Sequence, residues 1–288
     1  MIPDWKTNKV FFSKLISSKF PLVWSEIKEI LKSSEGYVEL LPKTKDIWAR
    51  DYMPIQISDN KLIEFRYDPD YLQGNSDKEQ TRELKTYPDI VCDAMGLKSI
   101  KSDIILDGGN LVKSTDCIIS TDKIVWENRR TYSKKDLLKE LHETFEVDKV
   151  VLIPWDEECE FGHADGMIRF IDDGTVLVSG FYENADKIFK ERLLAPLKKA
   201  KLNIEWLRCS TQKENEENIA YINFLQTKDI ILVPKINEKE DDIAFEQITT
   251  YFPHYAQFGN IKQLDMSEIV QYGGALNCIS WTIKTATV

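Results

Sequence analysis

The sequence predicts an α/β fold, and three observations carry that expectation. Short runs rich in Val and Ile recur along the chain, amphipathic helical stretches lie between them, and polar or Gly/Pro residues bound each run. Taken in order, Ile104–Leu106 and Ile118–Ser120 read as short strands. Ser133–Phe145 reads as a helix, because Leu137, Leu138, Leu141 and Phe145 fall on one stripe with charge elsewhere. Val150–Ile153 and Thr175–Val178 follow as strands. Asp186–Ala200 gathers Ile188, Phe189, Leu193, Leu194 and Leu197, with Pro196 expected to end or kink the helix early. Ile230–Val233 is the next strand. Asp241–Phe252 then repeats the helical pattern through Ile243, Phe245, Ile248 and Phe252, and Pro253 stops it. Asn75–Gln80 and the acidic run Glu238–Asp242 read as solvated loops. Self-similarity is too weak for repeats to be drawn from the residues, so periodicity yields a class and not an architecture.

At 288 residues the chain can bury a large core without staples. No low-complexity stretch or Pro/Gly/Ser linker divides it, so one domain over residues 1–288 is expected. Its 42% hydrophobic and 30% charged composition excludes a disordered chain. With 38 Lys+Arg against 48 Asp+Glu, the net charge of -10 argues against nucleic acid as a partner and favours a small cation. Five cysteines, an odd number with no CxxC pair, argue against a disulfide framework and a Cys-based zinc site. A reducing, cytoplasmic setting without a metal site is expected. The start of the chain lacks the basic-then-apolar pattern of a signal peptide, and no apolar run is long enough to span a bilayer. No membrane partner is expected.

Four segments concentrate chemistry. In Asp46-Ile47-Trp48-Ala49-Arg50-Asp51-Tyr52-Met53-Pro54, Arg50 and Asp51 point to opposite faces if the segment is extended, so each needs its own partner if buried. Asp107-Gly108-Gly109-Asn110 sets an acid at the end of an apolar strand before two glycines that permit close backbone approach. In Gly162-His163-Ala164-Asp165-Gly166, an extended backbone would present imidazole and carboxylate side by side; His142 and His254 read as structural or surface residues. Gly273-Gly274-Ala275-Leu276-Asn277-Cys278 places a thiol after paired glycines, whereas Cys92, Cys117, Cys159 and Cys209 read as small buried apolar residues. Each segment alone also reads as a turn or, for Cys278, as an inert buried thiol, the usual fate of a lone cysteine. A reactive thiol needs a base, and His163 is the best one on offer.

Together and in this order the four segments resemble the agmatine deiminase and bacterial-type peptidylarginine deiminase family, within the guanidino-group-modifying pentein superfamily. The resemblance runs from Asp46 to Cys278 and takes in Trp126-Glu127-Asn128-Arg129 and Ala220-Tyr221-Ile222-Asn223-Phe224. It implies a pentein fold, five pseudo-repeated ββαβ units around a central axis, with the site at that axis. It implies Asp51 and Asp165 as carboxylates that hold the planar, donor-rich guanidinium, with Trp48 also on the substrate. It implies Cys278 as nucleophile, His163 as acid and then base, and Asp107 as the group orienting His163. No metal or organic cofactor is implied. The partner it implies is a small cationic guanidine, agmatine first, released as N-carbamoylputrescine and ammonia.

The sequence departs from the family pattern at four places. Asn277 stands where histidine usually precedes the cysteine, Asp107 where glutamate is usual, Gly166 where asparagine is usual, and Met53 where glycine is usual. Asp68, Asp70 and Tyr71 are candidates to meet a distal ammonium, against a solvated turn over Tyr67–Tyr71. The other readings carried forward are a peptidylarginine or other arginine-derivative deiminase, an amidinotransferase, a catalytically silent binding pentein and a Cys/His/Asn protease. A homo-oligomer stays open.

Overall fold

The computed structural model describes residues 1–33, 37–73, 83–209 and 220–286. β1 (Lys9–Ser13) leads through the helices Lys14–Lys19 and Pro21–Ser33 to β2 (Tyr37–Leu41), which pairs with it in parallel. A parallel return needs a long crossover, and the helices supply it. β3 (Ile55–Ser58) and β4 (Lys61–Arg66) form a hairpin, and β5 (Ile100–Ile105) returns parallel to β4 after the helix Pro88–Met95. β6 (Val112–Lys113), β7 (Cys117–Thr121) and β8 (Lys149–Ile153) repeat the plan around Lys123–Asn128 and Lys134–Phe145. β9 (Ile168–Asp172), β10 (Thr175–Ser179) and β11 (Asn203–Leu207) do so around Lys187–Lys199. β12 (Leu225–Gln226), β13 (Ile231–Lys235) and β14 (Ile261–Asp265) do so around Glu240–Tyr251 and Pro253–Ala256.

The first unit lacks a hairpin partner of its own. β15 (Ser280–Ile283) fills that place, antiparallel to β1 with Phe11 opposite Trp281, and so closes a circle of five three-stranded sheets. This is the five-unit pentein arrangement that the resemblance implies. Among the described residues no helix is long and apolar enough to cross a membrane.

Most elements fall within a residue or two of their sequence-based bounds. Ser133 and Asp186 cap their helices from just outside, each accepting backbone N–H bonds with its side chain. Pro196 does not end its helix, which continues to Lys199. Only the last turn loses a backbone bond there, and buried Leu193 and Leu197 hold it in the cluster that contains Val151 and Ile153. The Glu238–Asp242 run is not a solvated loop: it opens the helix Glu240–Tyr251, with Glu240 and Asp241 buried. Asp241 Oδ1 accepts the Tyr221 hydroxyl at 2.8 Å and the Ile236 N–H at 2.9 Å, which compensates its burial. The Tyr67–Tyr71 stretch is likewise no simple solvated turn, since Tyr67 is buried and Asp70–Gln73 is helical. The Asn75–Gln80 loop lies outside the described residues.

Candidate active site

Asp46 starts the first segment by accepting the Trp48 N–H with Oδ1 at 2.8 Å, which turns the chain into the single helical turn Ala49–Tyr52. The segment is therefore not extended, yet Arg50 and Asp51 still diverge. Asp51 is buried, and its Oδ1 accepts the Gly109 N–H at 2.9 Å and lies 3.7 Å from His163 Nδ1. Arg50 turns to the other side. Its backbone N–H donates to the Cys278 carbonyl at 3.0 Å and its Nε to the Asn277 carbonyl at 3.3 Å.

Asp107 stands just beyond β5, ahead of the turn Gly108–Asn110. Its Oδ2 lies 3.0 Å from His163 Nε2 and accepts the Tyr71 hydroxyl at 3.0 Å. The glycine pair is dictated by crowding: a Cβ on Gly109 would sit 2.5 Å from Asp51 Oδ1 and 2.7 Å from His163 Nδ1. Asn110 Oδ1 accepts N–H bonds from Thr121 and Ala164 at 3.0 and 3.3 Å, which ties the His163 turn to the Asp107 turn. His163 itself precedes the turn Ala164–Gly166, so of the two sequence readings the turn is the one present, and it lets imidazole and carboxylate reach one space.

The nucleophile candidate is pinned by its neighbours. The Cys278 N–H donates to Asn223 Oδ1 at 3.1 Å, and the Asn277 N–H donates to the Asn223 carbonyl at 2.9 Å. Asn277 Nδ2 donates to Asp165 Oδ2 at 2.6 Å, and Cys278 Sγ lies 3.5 Å from the same oxygen. A Cβ on Gly274 would fall 2.5 Å from Trp48 Cζ3, so this glycine is what lets the indole close over the thiol's turn.

One cavity of about 240 Å³ collects these parts. Cys278, His163, Asp51, Asp165 and Trp48 all line it, while Asp107 stands behind His163, 2% exposed. The tail candidates fare differently. Asp68 is committed to Arg66 and Lys85, at 2.8 and 2.9 Å, and Asp70 to Lys123 at 2.9 Å. Tyr71 does line the cavity, and the further acid there is Asp46. Cys159, read as buried and inert, is half-buried on the cavity wall instead. No group of His, Cys, Asp and Glu fit to hold a metal occurs among the described residues. Sequence reasoning gave no role to Asn223, whose partner lies 55 positions away, nor to Asp46.

The site stores protons. Burial foremost, with Asp107 and Asp165 nearby, pushes the Asp51 carboxyl up to about 7. Burial alone would lower His163, but Asp51, Asp107 and Asp165 outweigh it and raise the imidazole to about 9. Burial, then Asp165 and Asp51, holds the Cys278 thiol well above its ordinary value. Burial and the neighbouring carboxylates thus disfavour further negative charge in this cluster.

The closed ring of five ββαβ units, carrying a thiol, an imidazole and acids at one cavity, defines a pentein. The family model for Porphyromonas-type peptidyl-arginine deiminase matches residues 16–283, and the chain belongs to that family. A curated relative from Enterococcus faecalis, named "Putative agmatine deiminase", is 25% identical over 224 residues, 66% of this chain and 60% of its own length. The chain thus spans 60% of the length of that relative. The solved structure of C. jejuni agmatine deiminase superposes with a TM-score of 0.77 at 17% identity, covering 99% of this chain and 96% of that one. DDAH from Pseudomonas aeruginosa follows the same fold, with a TM-score of 0.57 at 13% identity over 96% of this chain and 99% of its own.

Proposed function

We propose that the protein hydrolyses a small guanidine to a urea and ammonia, with agmatine as the preferred substrate. The observation that carries this reading is the meeting of Cys278, His163, Asp51 and Asp165 on one buried cavity with Asp107 behind His163. The two carboxylates accept N–H bonds from the two sides of a planar guanidinium. At about 4 Å and an effective dielectric near 20, one cation–carboxylate contact is worth about 4 kcal/mol. At about 1.4 kcal/mol per pKa unit, that is enough to return Asp51 to its ordinary range and to lower the thiol. Bound substrate thereby prepares its own nucleophile.

The reaction then balances with water alone. The Cys278 thiolate forms a bond to the guanidinium carbon, and His163 passes a proton from Nδ1, the nitrogen not engaged by Asp107, to the departing nitrogen. The C–N bond breaks, ammonia leaves, and a thiouronium remains on Cys278. Neutral His163 takes one proton from water as the oxygen adds to the same carbon. The C–S bond breaks to return the thiolate, and the second water proton leaves the nascent urea for the released ammonia, giving ammonium. Asp107, held also by the Tyr71 hydroxyl, fixes the ring and stabilises its charged form.

The cavity also favours one tail. Among the described residues that line it there is no Lys or Arg, and the one acid beyond the guanidinium clamp is Asp46. A free arginine carboxylate has no counter-ion there, whereas an aminoalkyl chain suits the aromatic walls. Purified protein should convert agmatine to its ureido product at a kcat/KM at least tenfold above that for arginine. The measurement is ammonia and ureido product across a panel of guanidines, with an added amine to reveal amidino transfer. Cys278→Ser should abolish turnover and leave the fold intact. Equal use of arginine would remove the agmatine assignment, and a fully active Cys278→Ser would remove the reaction.

A further inference from the structure

A second polar cluster lies on the other side of the segments that build the cavity. Asp4 meets three cations: Lys113 Nζ at 2.8 Å and Arg50 Nη1 at 3.8 Å from Oδ1, and Arg169 Nη2 at 3.0 Å from Oδ2. The three cationic side chains are 92% or more buried, with side-chain exposures of 8%, 8% and 4%. Arg50 is the least satisfied of them. A guanidinium carries five N–H donors, yet the side-chain hydrogen bond described for Arg50 is the 3.3 Å contact from Nε to the Asn277 carbonyl. Its Nη2 is buried without an acceptor among the described residues, and so is Arg169 Nη1.

Burying a guanidinium without compensation costs several kcal/mol, and Arg cannot shed its proton to avoid that. Charge decides what compensates it. Arg50 and Arg169 bring two positive charges they cannot shed, and Lys113 a third, which burial weakens and its 2.8 Å contact with Asp4 supports; Asp4 and the neighbouring Asp165 bring two negative ones. A neutral water would satisfy donors and leave this excess in place. The residues Asp4, Arg50, Lys113, Arg169, Gln226 and Asn277, with Asp165, border a small cavity in which about 10 Å³ is open to the centre of one small occupant.

We propose that this cavity binds one small monovalent anion of halide size, held chiefly by the Arg50 and Arg169 guanidinium groups with Lys113 behind them. The anion completes the partners of Arg50, which holds the carbonyls of Asn277 and Cys278. The site therefore braces the nucleophile's turn from below without touching substrate.

The test uses the whole protein and needs no turnover, so it stands or falls apart from the proposed reaction. Thermal melting is followed as sodium gluconate is replaced by sodium chloride or bromide at constant ionic strength. Melting should rise saturably by about 2–4 °C with either halide, as expected for a ligand that binds only the folded state. Crystals grown in bromide should show an anomalous peak between Arg50 Nη2 and Arg169 Nη1. Lys113→Met, where it folds, should lose the halide dependence. Equal melting in gluconate and halide, or density for water without an anomalous peak, overturns the proposal on the wild-type protein alone.

Discussion

Two neighbouring residues, Arg50 and Asp51, open onto two unlike regions. Above the turn, Asp51 joins Asp165, His163 and Cys278 in a cavity that gathers carboxylates and holds extra protons. Below it, Arg50 joins Lys113 and Arg169 around Asp4. There, although burial works against the Asp4 charge, the three cations more than overcome it and hold its carboxyl well below the usual range. Both regions are buried, and both draw on the same few turns. The upper one gathers carboxylates and the lower one gathers cations, which is why the proposed guanidinium is placed above and the proposed anion below. Adjacent opposite charges thus serve as two separate poles rather than an ion pair.

The largest expected effect breaks the upper pole. Asp51→Asn keeps the Gly109 contact in shape but removes the charge that the proposed reaction sets against the guanidinium. It should lose about 3–5 kcal/mol in kcat/KM, the scale for removing one partner of a buried charge pair. Steady-state kinetics with agmatine measures it, and a loss below tenfold would mean that Asp51 does not hold the substrate.

The lower pole should act differently. Arg50→Met removes the Nε bond to the Asn277 carbonyl and leaves the cavity lining intact. A bond from a charged donor is worth about 1.5–3 kcal/mol, so kcat should fall about tenfold or more with KM little changed. A rise in KM matching that of Asp51→Asn would show that the two poles are not separate after all.

Much of the upper pole was legible in the sequence and almost none of the lower. Asp51, Asp107, His163, Asp165 and Cys278 sit in glycine-flanked segments, and the crowding at Gly109 and Gly274 explains why the glycines mark the site. Asp4, Lys113 and Arg169 lie in no such context, and they meet Arg50 across 46, 63 and 119 positions, a distance no periodicity bridges. The strands and helices were readable because apolar pattern tracks burial. Their closure into a ring depends on β15 reaching β1 across the whole chain, and only the resemblance implied it. The Glu238–Asp242 run misled because charge was read as exposure, whereas Tyr221 and the Ile236 N–H satisfy Asp241 inside the protein.

The smallest expected effect sharpens the electrostatic side of the comparison through folding stability. His163 titrates near 9 in the folded protein against an ordinary 6.5. A raised folded value binds protons more tightly in the native state. Its contribution is therefore complete below pH 6.5 and is lost as pH rises through 9. Asp51, raised from 3.8 to about 7, acts with the same sign in its own window, complete below pH 3.8 and lost through 7. The lower pole has the opposite sign, because the depressed Asp4 contributes above its ordinary value of 3.8 and loses that contribution only in strong acid. Between pH 6.5 and 9.5 the upper pole should show together with neighbouring Glu127, whose carboxyl burial and then Asp107 raise to about 8. The result is a net fall of about 1–3 kcal/mol in unfolding free energy by denaturant titration, with Lys113 and the N-terminal amine, both lowered by burial, acting in the opposite sense. His163→Gln should flatten most of this fall, and saturation of Cys278→Ser with agmatine should remove the part due to Asp51, because a bound cation takes over the charge that its proton had supplied. A slope that survives both would place the stored protons elsewhere than beside the thiol.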